Sequence, residues 1–338
     1  RGSYSEGIRA PSIGELFGSI ARFDTTITDP CSDYAGVHGG PVASATIQAN
    51  CQTLGVPDTY EQLNPQISVS TGGNPGLVPE TTNNSYTAGF VYSPRWAEGS
   101  AWSDSLSFEF TYFNIELEKA IAALDAQVQL NGCAETLDPA FCGGIGRTQG
   151  GVINSFANQL LNIGGIKTNG WDLNIRWSAP EFNWGRFGVL WQSSHLNEYT
   201  EIIPTSTGFK EVPLVGTETG DLGAIYPDWK STMTVDWSRA DWGGSVSARY
   251  TDSVIDTNRV PNPGANMSAT TYVDMQVTWT PSQFMDGNWA FTLGANNVLD
   301  EDPPACWSCA LNGYDPSGYD TPGVFLYMRA VARFGKDN

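Results

Sequence analysis

The chain has 338 residues, with 17 Lys and Arg against 36 Asp and Glu, a formal net charge of −19. That balance argues against a nucleic-acid partner, whose phosphates need clustered basic side chains, and no apolar run approaches the roughly 20 residues of a membrane helix. Aromatic residues make up 12% of the chain and charged ones 16%, with 37 Gly and 20 Pro, which suits many strands and turns and suits long helices poorly.

Taken in chain order, period-two alternation predicts ten strands, near 1–9, 81–94, 104–121, 161–179, 184–200, 228–239, 242–255, 270–280, 287–299 and 322–334. In the fourth run Trp171, Leu173, Ile175 and Trp177 alternate with Asp172, Asn174 and Arg176. In the eighth, Val273, Met275, Val277 and Trp279 alternate with Asp274, Gln276 and Thr278. The phase slips at Tyr112 and Phe113, which predicts a β-bulge there. Trp residues gather near strand ends, as an interfacial aromatic girdle places them.

The connections fall into two kinds. Those near Ala97, Gly185, Asp241 and Asp286 are short, while 11–80, 123–160, 200–227, 252–269 and 300–322 are long. Short turns at one end and long loops at the other are the pattern of outer-membrane barrels, with the long loops outside. A soluble β-sandwich also alternates, but its outward faces are rich in Lys and Glu. Here they are small and neutral (Ser245, Ser247, Thr232, Thr234, Thr292). The expected fold class is therefore all-β, an antiparallel transmembrane β-barrel.

All six cysteines lie in the long loops as close pairs, Cys31 with Cys51, Cys133 with Cys142, and Cys306 with Cys309. They read as disulfides made in an oxidising compartment. A zinc reading has a single C-x-x-C, and His38 and His195 lie elsewhere. A redox reading of that C-x-x-C lacks its strand-then-helix context. No resident metal or other cofactor is expected. The acidity reads as a solubility device or, in the loops, as oxygen ligands for a divalent cation. The chain opens at Arg1 with no signal peptide, so an N-terminal part is expected to be processed away or encoded upstream.

Four segments carry a resemblance. The first is Arg1-Gly2-Ser3-Tyr4-Ser5-Glu6-Gly7-Ile8-Arg9-Ala10-Pro11, followed by Glu15-Leu16-Phe17. The second is Asn74-Pro75-Gly76-Leu77-Val78-Pro79-Glu80, and the third Gly294-Ala295-Asn296-Asn297-Val298-Leu299-Asp300. The fourth is a closing strand that alternates from Val324 to Phe334, with four residues after the aromatic. Together they resemble the TonB-dependent receptor family in its own order. The resemblance implies a 22-stranded barrel filled by a plug, with residues 1–338 as the C-terminal part, strands thirteen to twenty-two. The plug, the energy-coupling box and the earlier strands would then lie upstream.

What the resemblance implies for function is TonB-energised uptake of a scarce, large nutrient across the outer membrane of a Gram-negative bacterium. The nutrient would be an oligosaccharide, a ferric siderophore or a cobalamin. The partners are outer-membrane lipid, the plug and first strands of the same receptor, the TonB complex reached through the missing part, and the nutrient. A passive porin or adhesin is the alternative, and an outer-membrane hydrolase a more distant one. No Gly-x-Ser-x-Gly, His-Glu-x-x-His or phosphate-binding glycine loop is present, so no enzyme is expected. His195, beside Ser193 and Ser194, reads as a wall histidine. Glu109, Asp172, Arg176, Asp236, Arg249, Asp274, Arg329 and Arg333 read as lumen-facing charges. In the loops, Tyr34, His38, Tyr60, Trp307, Tyr314 and Tyr319 are the candidate ligand contacts. Aromatic faces near Asp and Asn favour a sugar or another neutral ligand.

Overall fold

A computed structural model describes residues 1–162, 164–205, 208–219, 225–257, 265–282, 289–309 and 313–333. Ten antiparallel strands form one sheet: β1 Gly2–Arg9, β2 Glu80–Tyr92, β3 Ser105–Glu118, β4 Gly165–Ser178, β5 Arg186–Thr205, β6 Trp229–Arg239, β7 Trp242–Thr251, β8 Thr270–Trp279, β9 Trp289–Asn296 and β10 Phe325–Ala332. Each pairs with its neighbour in sequence, so the wall is a meander with no crossover. Among the described residues β1 pairs only with β2 and β10 only with β9, and the wall does not close on itself. No helix among them is long and apolar enough to cross a membrane.

The alternation of sequence becomes two continuous faces because the register keeps parity from strand to strand. Leu106, Trp177, Val189, Val235, Val246, Met275, Ala295 and Leu326 form one cross-strand row. On this face Met233, Met275 and Leu293 stay exposed, at 45%, 45% and 66%, a large apolar surface that has no place in water. The opposite face is a polar ladder. Ser194 donates to Asp172 (2.5 Å), Gln192 to Asn174 (3.2 Å) and Arg249 to Asp274 (2.9 Å), and the hydroxyls of Thr234 and Ser247 (3.0 Å) and of Thr278 and Thr292 (2.9 Å) pair. Arg1 bonds Glu109 on the same face.

Two aromatic layers bound the apolar face. Trp171 stacks on His195 and meets Trp229 edge-on, both at 5.4 Å, which makes His195 a wall histidine at the loop end. At the turn end Trp184 packs on Phe182 and Phe187 (5.0 and 4.7 Å), and Trp242 stacks on Trp279 (6.1 Å). Trp229 and Trp237 are eight residues apart on β6, about 26 Å of strand, or about 20 Å of height at a barrel strand's tilt of about 40°, most of a lipid band about 25 Å tall. The turn at Gly185 is tight. Its φ is 120°, and a Cβ there would strike Trp237 Nε1 at 2.5 Å.

Three sequence expectations need correction or placement. No bulge sits at Tyr112 and Phe113, which pair in register with Trp171 and Gly170. The irregularities fall elsewhere, at Ser5/Gly7, Asn83/Tyr86 and Asn169/Gly170. Phe113 is accommodated because Gly170 opposite has no side chain; a Cβ there would lie 2.9 Å from the Phe113 ring. Second, β5 runs on to Thr205, five residues past its expected end, and pairs with an added strand, Gly208–Pro213. Third, the turn holding Asp286 and the closing Phe334 lie outside the described residues.

Candidate functional site

The outer loops are not loose coil but small folded units. The first, 10–79, contains helix α1 (Ile13–Phe17), a hairpin of Ala21–Thr26 with Gln66–Thr71, and helix α2 (Ala45–Thr53). The second, 119–164, carries α3 (Ala126–Thr136) and α4 (Pro139–Cys142). Each helix has a side-chain cap: Ser12, Ser44, Asp125 and Asp138 accept from the first-turn amides. Disulfides Cys31–Cys51, Cys133–Cys142 and Cys306–Cys309 each close within one loop. This shortens the free chain and removes entropy from the unfolded loop.

Buried polar contacts then fuse neighbouring loops. Arg147 of the second loop grips Asp29 of the first with bonds of 2.6 and 2.8 Å, their side chains only 7% and 0% exposed. Tyr60 also donates to Asp29 (3.2 Å), and burial, followed by the Asp29 charge, pushes its phenol up to about 12. Across the mouth, Ser308 donates through Oγ and its amide to the buried Asp256 (2.7 and 3.1 Å). Beneath it Val254, Met267, Cys306, Cys309, Tyr314 and Tyr319 form an apolar core.

Between these units lies a cavity of about 670 Å³, within the range of ligand sites. Phe23, Thr25, Thr26 and Thr71 come from the first loop, and Leu124, Asp125, Gln127 and Asn158 from the second. Glu201, Ile203, Val212 and Leu214 come from the hairpin that extends β5. Thr217, Thr219, Tyr226, Thr257 and Ser308 also line it, and among the described residues the lining contains no Lys, Arg or His. Glu201 lies six residues beyond His195 and the outer aromatic layer, about 20 Å of strand further toward the long loops. Burial raises the Glu201 carboxyl above its ordinary value, and the nearby Asp125 charge adds to this. Burial raises Asp125 as well. Asn158 is 2% exposed; its amide donates to Leu124 O, while its Oδ1 finds no hydrogen-bond partner among the described residues.

None of the six aromatic candidates from sequence is among the described residues that line this cavity. Tyr34, 2% exposed, donates to Val56 O (3.0 Å) inside the first loop, beside Tyr60. Tyr314 and Tyr319 are buried in the core shared by the later loops. His38 is half-exposed, with Nε2 3.0 Å from Thr59 O and Nδ1 3.7 Å from Glu61. Its pKa is raised first by the Thr59 contact. Trp307 is 70% exposed, next to the lining residue Ser308. Sequence reasoning missed Asp125, Glu201 and Asn158. The available signal was Asp125 standing as a helix N-cap before an apolar turn. Cys306, Cys309 and Glu218 lie within 4.8 Å of one another, but the cysteines are bonded to each other and have no thiolate to offer a metal.

Residues 1–298 match the family model described as TonB dependent receptor-like, beta-barrel. The chain belongs to the TonB-dependent receptor β-barrel family. No curated protein matches it. Among solved structures it is similar to a doubly substituted ferric enterobactin receptor (PfeA) of Pseudomonas aeruginosa, at 13% identity over 97% of this chain and 37% of that one, with a TM-score of 0.49. The siderophore receptor PirA of Acinetobacter baumannii gives 12%, 97%, 38% and 0.49. The FrpB iron transporter of Neisseria meningitidis gives 12%, 78%, 32% and 0.47. The chain thus spans about a third of the length of these proteins.

The TonB-dependent receptor segments recognised in sequence fold into clasps at the loop bases. Arg9, in the first, bonds Glu80 of the second (2.5 Å) and Glu15 (2.9 and 3.0 Å). Glu80 in turn accepts from Ile121 N (2.6 Å). Asn297, in the third, donates through its amide to Asp274 (2.9 Å) and through its side chain to Glu301 O and Gly323 O.

Proposed function

We propose that residues 1–338 are the C-terminal part of an outer-membrane receptor that captures a scarce, large nutrient outside and imports it by coupling to TonB. The family match supports the class. The observation that carries the capture step is the cavity, built jointly by the outer loops above a wall with one apolar and one polar face. In this reading the apolar face meets lipid, and the polar ladder faces a lumen holding the plug. The loop cavity binds the nutrient, and the pull of TonB on the plug releases it inward. The wall supplies shape and contacts; no bond is made or broken in it.

The test uses the full-length receptor in cells lacking other copies, supplied with labelled oligosaccharides, ferric siderophores and cobalamin. One class should accumulate, and a protonophore should abolish its uptake. Filling the cavity with Thr26→Trp, at an exposed position of its lining, should lower uptake at least about tenfold. Uptake that is indifferent to the protonophore would make the protein a passive pore.

A further inference from the structure

We infer that the loop cavity selects an uncharged, polyhydroxylated ligand of the oligosaccharide class, with Glu201 and Asp125 as its polar anchors. This rests on the reading of the cavity as the capture site.

The first argument is charge. Among the described residues, two carboxylates line the cavity and no Lys, Arg or His accompanies them. An anionic ligand would meet these two like charges with no counter-charge from the described lining. A ligand rich in hydroxyls suits the same groups. Adjacent O–H donors can be received by one carboxylate, and such charge-assisted bonds are stronger than neutral ones. Among the described residues the Glu201 carboxylate has no hydrogen-bond partner, whereas Asp125 spends one oxygen on the α3 cap.

The second argument is the neutral polar lining. Threonine hydroxyls enter from three separate loops, through Thr25, Thr217 and Thr257. Thr217 and Thr257 donate to Leu214 O (2.7 Å) and Glu218 O (2.9 Å), which leaves their oxygens to accept from sugar hydroxyls, and the hydroxyl of Thr25 can donate as well as accept. Asn158 adds a buried carbonyl oxygen that lacks a donor among the described residues, a deficit that a ligand hydroxyl or a bridging water removes. The third is shape. Phe23, Leu214 and Tyr226 give the cavity apolar and aromatic surface, which the C–H faces of a sugar ring can cover.

The experiment presents purified full-length receptor to an array of neutral and acidic glycans, with ferric enterobactin and cyanocobalamin titrated separately. Native, Glu201→Gln, Glu201→Lys and Thr26→Trp forms are compared, each first shown to insert in the outer membrane. Neutral glycans should bind the native form. Glu201→Lys should weaken them about tenfold or more, Glu201→Gln less, and Thr26→Trp should abolish binding. Binding of ferric enterobactin that Thr26→Trp blocks would overturn the ligand class and leave the capture site standing. Absence of any neutral glycan signal would also overturn the class. Glycan binding indifferent to both Thr26→Trp and Glu201→Lys would overturn the capture site, and the inference with it.

Discussion

Three side chains show how differently single residues were legible in sequence. Arg9 was visible as part of a family segment, but its two partners, Glu15 and Glu80, stand 6 and 71 positions away and only folding unites them. Arg147 carried no signal at all, because a buried ion pair between two loops has no local pattern. Its Asp29 partner has an unexposed side chain, so Arg147→Met should strand that charge and destabilise the joined loops by about 3–5 kcal/mol. Faster proteolysis of the second loop in the folded receptor would register this, and unchanged cleavage would contradict it. Glu201 offers a pH-dependent test. A carboxyl whose folded pKa is raised binds its proton more readily in the folded state, so its relative stabilisation is full below the ordinary carboxylate value and is lost as pH rises through the raised one. At neutral pH, Glu201→Gln should therefore protect the Gly208–Pro213 hairpin from hydrogen exchange. At a pH below the ordinary value that gain should vanish.

At the scale of elements, all ten wall strands were readable because a strand wet on one side and apolar on the other must alternate. Their ends were less so. β5 overran its expected end because its extension is stabilised by pairing with Gly208–Pro213 rather than by two-faced burial. The four loop helices were missed for a related reason: three to four turns or fewer leave no periodic stretch, and caps such as Asp138 resemble ordinary turn residues. The Tyr112 and Phe113 pair misled because the glycine that admits Phe113 lies 57 residues downstream of it. Loop lengths fix the orientation of the wall. A single cysteine at Asp241, in the receptor lacking its native cysteines, should resist an impermeant maleimide on intact cells, and one at Trp307, 70% exposed, should react. Reversal of these two results would invert the wall.

For the whole molecule, the family and the barrel class were legible, whereas the cavity was not. Its lining is assembled from all the long loops, and no window of sequence contains more than a fragment of it. Capture by the outer loops requires the wall to be a membrane wall, with one face in lipid and the other toward a wet interior. The direct measurement is a nitroxide scan of β6, β7 and β8 in the full-length receptor reconstituted in bilayers, comparing collisions with oxygen and with a water-soluble nickel chelate. Labels at Met233, Val235, Val246, Met275 and Val277 should meet oxygen, and those at Thr232, Thr234, Ser247, Asp274 and Gln276 should not. If instead the first set were shielded from both reagents, as in a packed soluble core, or the alternation were absent, the account would be contradicted.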